Sequence, residues 1–413
     1  MTTPATGLFK KVAFLAESTF GTAPGPTGAQ YLRRTQSTLS TSAAFFKSNE
    51  INTDRQLRDN RKGAKTVKGN IQGELSPGTY SPFMAAMLGA SAFTAGVSTA
   101  ALTNVTAAAT TPGTFTRATG SFLTDGFKVG DIVRWTGWAT TGLANNSRSY
   151  RITALTGTVM TVGTAVSGTA TGPEAVAAKA SGDSVTCTVV GKKCITPTSG
   201  LADSSFGIEH WHSDISKSEL FLGCKPTQMA LSLPSSGIAT VNFTFMGLDV
   251  TTGTAQYFTT PTALSTAGLA AGVNGTLNIG GTDFATVTGL TINVNGNHAV
   301  ESVVGSQLTP GVFPGMLDVS GQITCLFADT VLRDDFIAET DYVSLEAQLA
   351  LTQAVNSDFL NFYLPRIKIT SADKSDKPQA LVGTYNFQAA LNVAGGAGTA
   401  GDATTLMIQD SLA

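Results

Sequence analysis

Charge is what this chain of 413 residues has least of: Asp, Glu, Lys and Arg together make up 13% of it, about half the share of an average globular chain. So few surface charges leave a lone monomer prone to association, and the composition leans towards a chain buried against other copies of itself. The net charge of −2 excludes a global basic field for capturing nucleic acid. Four cysteines, Cys187, Cys194, Cys224 and Cys325, show no CxxC spacing. In a chain this long that argues against a disulfide framework and predicts reduced, buried thiols. Long apolar runs are missing too. After Lys10 and Lys11 the apolar part is only Val12 to Ala16, too short for an export leader or a membrane span. The expectation is a protein made in the cytoplasm, soluble until it assembles, with no membrane partner.

Catalytic signatures are equally scarce. There is no GxSxG elbow, HExxH helix or P-loop, and the three histidines make a Ser/His/Asp site hard to build. His210-Trp211-His212 places two imidazoles on one strand face, a spacing some metal sites use, but only His298 remains elsewhere to complete a ligand set. Gly396-Ala397-Gly398-Thr399-Ala400-Gly401 satisfies GxGxxG in letters, with no strand before it and too little chain after it for a βαβ unit. Asp334-Asp335 and the pair Asp373 and Asp376 are more simply a helix surface and a turn. No catalytic, cofactor-binding or metal-binding residue is expected, and the chain reads as a structural protein, not an enzyme.

Glycine, threonine, alanine and serine are abundant instead. Low-complexity stretches at 91–112, 163–183, 251–281 and 392–405 lack apolar periodicity and read as linkers or loops. Between them lies an internal duplication. Val67–Leu75 (VKGNIQGEL) aligns with Val319–Phe327 (VSGQITCLF): both alternate, and Val, Gly and Ile recur at matching apolar positions. A short helical segment follows each, at 81–88 and 330–338. A hairpin then follows each: 228–233 with 238–248 around Pro234-Ser235-Ser236-Gly237, and 366–370 with 380–391 around 371–378. Three matches in order support a repeat.

Residues 110–195 interrupt the first copy and carry five short strand patterns of their own, at 114–118, 131–136, 149–155, 158–162 and 184–190. The fold class predicted is all-β with short helices: two tandem lobes of β-sandwich or β-barrel type plus an inserted small β-barrel or sandwich. The expected division is an N-terminal arm (1–30), a discontinuous first lobe (31–109 and 196–252), the insert (110–195), a linker (253–281), a second lobe (282–395) and a C-terminal tail (396–413). Because it is an insertion, the 110–195 module should have adjacent ends and project from the surface.

Four strands share one design, an apolar face backed by short polar side chains. The polar faces are Lys68, Asn70, Gln72 and Glu74; Thr240, Asn242 and Thr244; Ser320, Gln322 and Thr324; and Thr384, Asn386 and Gln388. A solvent-facing sheet would normally carry more Lys and Glu. A wall along which a charged polymer must slide would look like this one, although a solvated face rich in amides is the plainer alternative. The most charged stretch lies just upstream, with Glu50, Asp54, Arg55, Arg58, Asp59, Arg61, Lys62 and Lys65. Its mixed signs and lack of aromatics argue against nucleic-acid binding. It is expected to be a long loop that stacks on a neighbouring ring or subunit through ion pairs, with a nearly uncharged twin at 299–315.

Glu17–Pro24 (ESTFGTAP), Asn52–Arg58 (NTDRQLR) and Gly69–Tyr80 (GNIQGELSPGTY) resemble tail tube proteins of siphophages, the bacteriophages with long non-contractile tails. Phe313-Pro314-Gly315 leading into Val319-Ser320-Gly321 is similar to the second half of that family. The resemblance covers most of the chain and is least specific in the 110–195 module and the Gly-rich tail. It implies rings that each close a β-barrel around a lumen and stack into a virion tail tube for DNA ejection. It also implies no cofactor. The expected partners are copies of the chain, other tail proteins (tape measure, tail terminator and distal tail protein), and phage DNA passing without sequence-specific contact. Most members carry one tube domain per chain and form six-membered rings; two domains here imply a ring of three, a pseudo-hexamer. A decoration or tail-terminator subunit, or a secreted adhesin or carbohydrate-binding protein with exposed Trp135 and Trp138, stand as alternatives.

Overall fold

The computed structural model describes residues 4–51, 53–54, 56–146, 148–164, 176–284, 286–328, 331–338, 343–375 and 380–413. The chain is all-β with short helices, and one antiparallel sheet of eight strands organises it. In chain order the strands are β1 (Ser40–Lys47), β2 (Asn60–Glu74), β3 (Lys217–Pro234), β4 (Thr240–Gly247), β5 (Val287–Asn295), β6 (Asp318–Leu326), β7 (Phe359–Lys374) and β8 (Val382–Ala389). Side by side they run β1-β2-β4-β3-β5-β6-β8-β7. The order 1-2-4-3 is therefore followed by 5-6-8-7, the same path taken twice.

The two paths agree residue by residue. Gly69 faces Phe245 and Ile71 faces Phe243; Gly321 faces Phe387 and Ile323 faces Tyr385. Two strands on, β3 slips register against β4 between Pro226 and Gln228, and β7 slips against β8 between Ile369 and Ser371. A β-bulge bends a strand and raises its twist. Finding one at the same position in both halves, at Thr227 and Thr370, is a stronger sign of duplication than the shared letters.

The inward face of this sheet supplies the core. Val67, Ile71, Phe243, Phe245, Met229, Leu231, Ile292, Val294, Ile323 and Phe387 are all buried in one continuous cluster spanning both halves. A second layer covers it. The long strands β3 and β7 cross between layers, and their N-terminal portions pair with Phe206–His212 and Val343–Ala350 respectively. Lys10–Ala16 extends the first outer layer and Gly275–Ile279 the second. The helix Ser81–Met87 is sandwiched between layers, with Phe83 ring centroids 4.6 Å from Phe14 and 5.2 Å from Phe245.

The motif residues of the N-terminal third act inside this frame. Glu17 accepts hydrogen bonds from Gly223 N (2.7 Å), Gly21 N (2.9 Å) and Ser205 Oγ (2.6 Å), satisfying backbone where β3 changes layer. Gly73 is glycine because Tyr80 lies over it: a Cβ there would sit 1.8 Å from the phenol oxygen, which donates to Arg33 O at 2.9 Å.

Two stretches expected to be unstructured carry strands. Within 253–281, Gly275–Ile279 pairs with Val343–Ala350, burying Leu277 and Ile279. Within 396–413, Met407–Asp410 is wholly buried and pairs with both β7 and Lys192–Ile195. Both segments are short and lie beside Gly/Ala/Thr-rich sequence, and only their partners select the extended form. The Gly396–Gly401 run turns the chain back. Its carbonyls face inward, and Lys128 Nζ donates to Thr399 O at 2.7 Å, the opposite of a phosphate-binding loop.

The insert forms a six-stranded sheet of Val105–Ala108, Gly113–Arg117, Ile132–Thr136, Ser149–Leu155, Val159–Thr164 and Thr186–Val189. Bridges Ser98 to Thr188, Leu102 to Val185 and Ala107 to Lys179 draw its two edges together. Val105–Ala108 lies in the first low-complexity stretch and was not expected as a strand; most of the 163–183 stretch lies outside the described residues. The ends of the insert are adjacent, since Thr94–Ala95 pairs with Lys192–Ile195. The module does not simply hang free: Gln409 donates to Ile132 O (2.9 Å) and Val190 O (2.7 Å), and Asn361 Nδ2 donates to Gly130 O (3.0 Å). Trp135 and Trp138 stack with Phe115 in its core and are 0% and 2% exposed. That removes the exposed aromatic platform a carbohydrate-binding reading needs.

Candidate functional site

Because successive side chains of a strand alternate faces, burying one face of the eight-stranded sheet displays the other. All thirteen residues singled out from the four matched strands fall on that displayed face, joined in rows by the pairing. Asn70 stands opposite Thr244, Gln72 opposite Asn242, Glu74 opposite Thr240. Ser320 stands opposite Gln388, Gln322 opposite Asn386, Thr324 opposite Thr384. Lys68 is exposed at one end of the face.

The sequence reading gave 228–233 as a hairpin strand but missed its partner β5, and with it the way the two halves join. β3 and β5 pair from Gln228 with Asn295 to Pro234 with Gly289, which puts Gln228, Ala230, Ser232, Thr291, Asn293 and Asn295 on the same face. One uninterrupted row reads Gln72, Asn242, Ala230, Asn293, Ser320, Gln388 and Lys368. The next reads Glu74, Thr240, Ser232, Thr291, Gln322, Asn386 and Ser371. The alternation of Thr291-Ile292-Asn293-Val294-Asn295 was visible as a signal; what it lacked was a twin, since its counterpart Thr38–Ser42 is mostly serine and threonine.

The middle of this face is uncharged and cross-linked by its own side chains. Gln322 Nε2 donates to Asn386 Oδ1 at 2.9 Å, and Asn386 Nδ2 to Ser371 Oγ at 2.7 Å. Such a ladder fixes the amides and offers a passing solute dipoles of both signs with no net field. Charges stand at the margins: Lys68, Glu74, Asp318, Lys368 and Asp373. Gln388 also donates to Asp318 across the strands.

The charged stretch takes a different form from the expected long loop. Arg61, Lys62 and Lys65 belong to β2, opposite Phe46, Phe45 and Ala43 of β1. Only the tip, 48–59, is a loop, and it holds Glu50, Asp54, Arg58 and Asp59; Arg55 lies outside the described residues. Pairing with β1 extends β2, a long-range choice the charge pattern could not reveal. Arg58 reaches Asp54 at 2.7 Å and Arg61 reaches Asp59 at 2.7 Å, all well exposed. The hairpin also exposes Phe45, Phe46, Ile51 and Leu57. Its positional twin contains the small pair Ala299–Val300 and Val312–Phe313 and exposes Val303, Val304, Phe313 and Met316. The two are in contact, Lys65 N donating to Gln307 O at 2.8 Å.

The titratable residues have structural roles. His210 is buried, shares a hydrogen bond of 2.8 Å with Ser37 Oγ, and is pushed down to about 2 by burial and then by Lys10 and Arg34. No His/Cys/Asp/Glu cluster able to hold a metal occurs among the described residues, and all four cysteines are buried thiols outside any disulfide. No helix among them is long and apolar enough to cross a membrane. Asp334 and Asp335 lie on the helix Val331–Ile337 and Asp373 on β7; Asp376 is outside the described residues.

Glu346 sits where the insert meets the second half. Arg151 Nε lies 3.4 Å from Glu346 Oε2 and Asn361 Nδ2 donates to Oε1 at 2.9 Å. Burial nevertheless pushes the carboxyl up to about 7 from its ordinary 4.5. A folded-state pKa above the unfolded one favours folding at low pH, and the contribution is lost as pH rises from about 4.5 through 7. Between pH 5 and pH 8 this group should cost the unassembled chain about 2–3 kcal/mol, while His210, held low, acts in the opposite sense over the same range, so the comparison that isolates it is wild type against variant. Glu346→Gln should flatten that part of the profile, as thermal melts across pH would read. Parallel slopes for wild type and variant would show that the carboxyl does not titrate there.

A family model described as phage tail tube protein matches residues 10–389. No curated protein matches the chain.

Proposed function

The chain belongs to the phage tail tube protein family and is a structural component of the virion tail, and from that membership we propose that three copies close a ring whose lumen is lined by the polar face of the eight-stranded sheet. Rings stack into the tube, and phage DNA leaves through it. The observation that carries this reading is the doubled path 1-2-4-3, 5-6-8-7 with one polar face that is uncharged through its middle. A chain holding two tube units would need half the usual number of copies per ring.

Barrel geometry is consistent with such a ring. Three copies would supply about 24 strands at roughly 4.8 Å spacing, and a tilt of about 40° gives a backbone circumference of roughly 150 Å. After side chains are subtracted, a lumen of roughly 35–40 Å remains, wider than the channels of 16–18-stranded barrels. Closure also removes the sheet edges that a monomer must protect. The amides and hydroxyls in the middle of the wall carry none of the Lys and Arg contacts that make DNA binding persistent, and Lys68 and Lys368 at its margins are offset by Glu74, Asp318 and Asp373.

The remaining surfaces follow from this placement. The hairpin 40–65, with Phe45, Phe46, Ile51 and Leu57 at its surface, and the 299–315 segment, with Val303, Val304, Phe313 and Met316, are the contacts between stacked rings. The inserted module, held on outer-layer strands, forms the external knob. The tape measure protein occupies the lumen before DNA does, and the tail terminator and distal tail proteins close the ends.

Negative-stain electron microscopy of tubes grown from the chain alone, or of virion tails, tests the reading. End-on averages should be hollow with three outer knobs per ring. Six knobs would keep the tube and replace the trimer; tails whose tube lacks this chain would remove the reading altogether.

A further inference from the structure

The joint between β3 and β5 is a contact between two tube units that happen to share one chain. Resting on the ring reading above, we propose that this internal joint is the template for the joint between chains, so that β7 of one copy pairs antiparallel with β1 of the next in a defined register. The internal register runs Gln228 with Asn295, Met229 with Val294, Ala230 with Asn293, Leu231 with Ile292 and Ser232 with Thr291. The shared bulge and the shared β2 and β6 pairings carry each partner to its twin. The seam is then Ser371 with Ser42, Ala372 with Thr41, Asp373 with Ser40, Lys374 with Leu39 and Ser375 with Thr38 of the next copy.

Three further observations favour this seam. The outer edges of β1 and of β7 beyond Lys368 have no strand partner among the described residues, whereas the β3 edge that corresponds to the latter is paired. Asp373 and Lys374 stand where the internal joint has Ala230 and Leu231, and charge on an edge strand opposes premature pairing. Finally, the helix Ser81–Met87 is buried, with Met87 against Gly296 at the end of β5: a Cβ on Gly296 would lie 3.1 Å from Met87 Cε. The corresponding helix Val331–Ile337 leaves Phe336 and Ile337 42% and 66% exposed. In the ring, the segment around Ala43 of the next copy would cover it. The seam replaces two apolar core pairs, Met229 with Val294 and Leu231 with Ile292, by Ala372 with Thr41 and Lys374 with Leu39. It is thus the weaker joint, and a tube should come apart between chains before the halves of a chain separate.

Cysteine cross-linking in assembled tubes decides the register. The Thr227 carbonyl accepts from Gly296 N, so Gln228 with Asn295 is a non-hydrogen-bonded pair, with Cα atoms about 4.5 Å apart. Its seam equivalent, Ser371 with Ser42, is within disulfide reach, whereas a pair shifted by two residues is roughly 7–8 Å apart and out of reach. Tubes of S42C/S371C should give, on mild oxidation, a reducible ladder of linked chains at least tenfold stronger than tubes of S40C/S371C. The four native cysteines are buried and contribute little background. A ladder ending at three or at six chains supports the seam alike, the end point reporting ring size. Tubes in which the shifted pair links better, or neither pair links, overturn the register while leaving the tube intact. Each single-cysteine variant should form tubes like wild type and give no ladder; a ladder from either one alone would also overturn the register. A wild-type chain absent from every ring would overturn the assembly reading and the seam with it.

Discussion

Replacing Asn242, Asn293 and Ser320 together by arginine is expected to turn a passive wall into one that holds DNA. The three positions lie in one row of the displayed face, on β4, β5 and β6, and none is fully buried. Three copies would bring about nine guanidinium groups to each ring, within the range of ~6–10 phosphate contacts that gives strongly salt-dependent binding. Tubes of the variant should retain double-stranded DNA at 50 mM salt and release it by 200 mM, a change of about 10³–10⁵ in affinity. Wild-type tubes should show little binding at either salt. In virions the variant should slow or abort genome delivery while tail length and appearance stay normal. The same substitutions to glutamine, polar but uncharged, should leave delivery unaffected. Variant tubes that bind DNA no better than wild type would mean that this face does not meet DNA.

Gly321→Val is expected to destabilise the chain by about 3–4 kcal/mol, enough to lower the melting temperature of a chain this long by roughly 3–5 °C. A Cβ on Gly321 would meet Thr291 O at 2.2 Å and Phe387 Cζ at 2.4 Å. The first is backbone of β5, so relief requires separating two central strands. Its twin Gly69 is equally confined, with Leu39 Cα and Thr38 O both 2.6 Å from the same notional atom. In both halves an aromatic ring, Phe245 or Phe387, lies opposite the glycine and covers the gap left by the missing side chain. Gly69→Val should therefore behave like Gly321→Val, whereas Gly25→Ala, with nothing within 4 Å, should be close to neutral. Calorimetry on soluble monomer, or the soluble fraction on expression, checks the ranking. If Gly321→Val melts with wild type, β5 and β6 do not approach as closely as their register requires.

These two predictions draw on different kinds of information. That Asn242 and Ser320 share a face with Gln72 and Asn386 could be read along the chain, because the pleat forces alternate side chains apart whatever the strand pairs with. That Asn293 joins them could not, because its strand has a different composition from its twin and is placed by β3, more than fifty residues upstream. Charge misled for the same reason. Arg61, Lys62 and Lys65 looked like loop residues, yet strand pairing with Ser40–Lys47 satisfies their backbone and extends β2 to Asn60.

The sequence alone determined the all-β class, the repeat and the polar and apolar faces of the matched strands. All of these are set by short-range alternation and composition. Only the tertiary structure decided how the halves meet, that Gly275–Ile279 and Met407–Asp410 become strands, and that Arg151, Glu346, Asn361 and Gln409 fasten the insert to the second half. Each of those outcomes depends on hydrogen bonds between residues tens to hundreds of positions apart. A short segment has no strong preference of its own, so the partner that offers its backbone a ladder determines what it becomes.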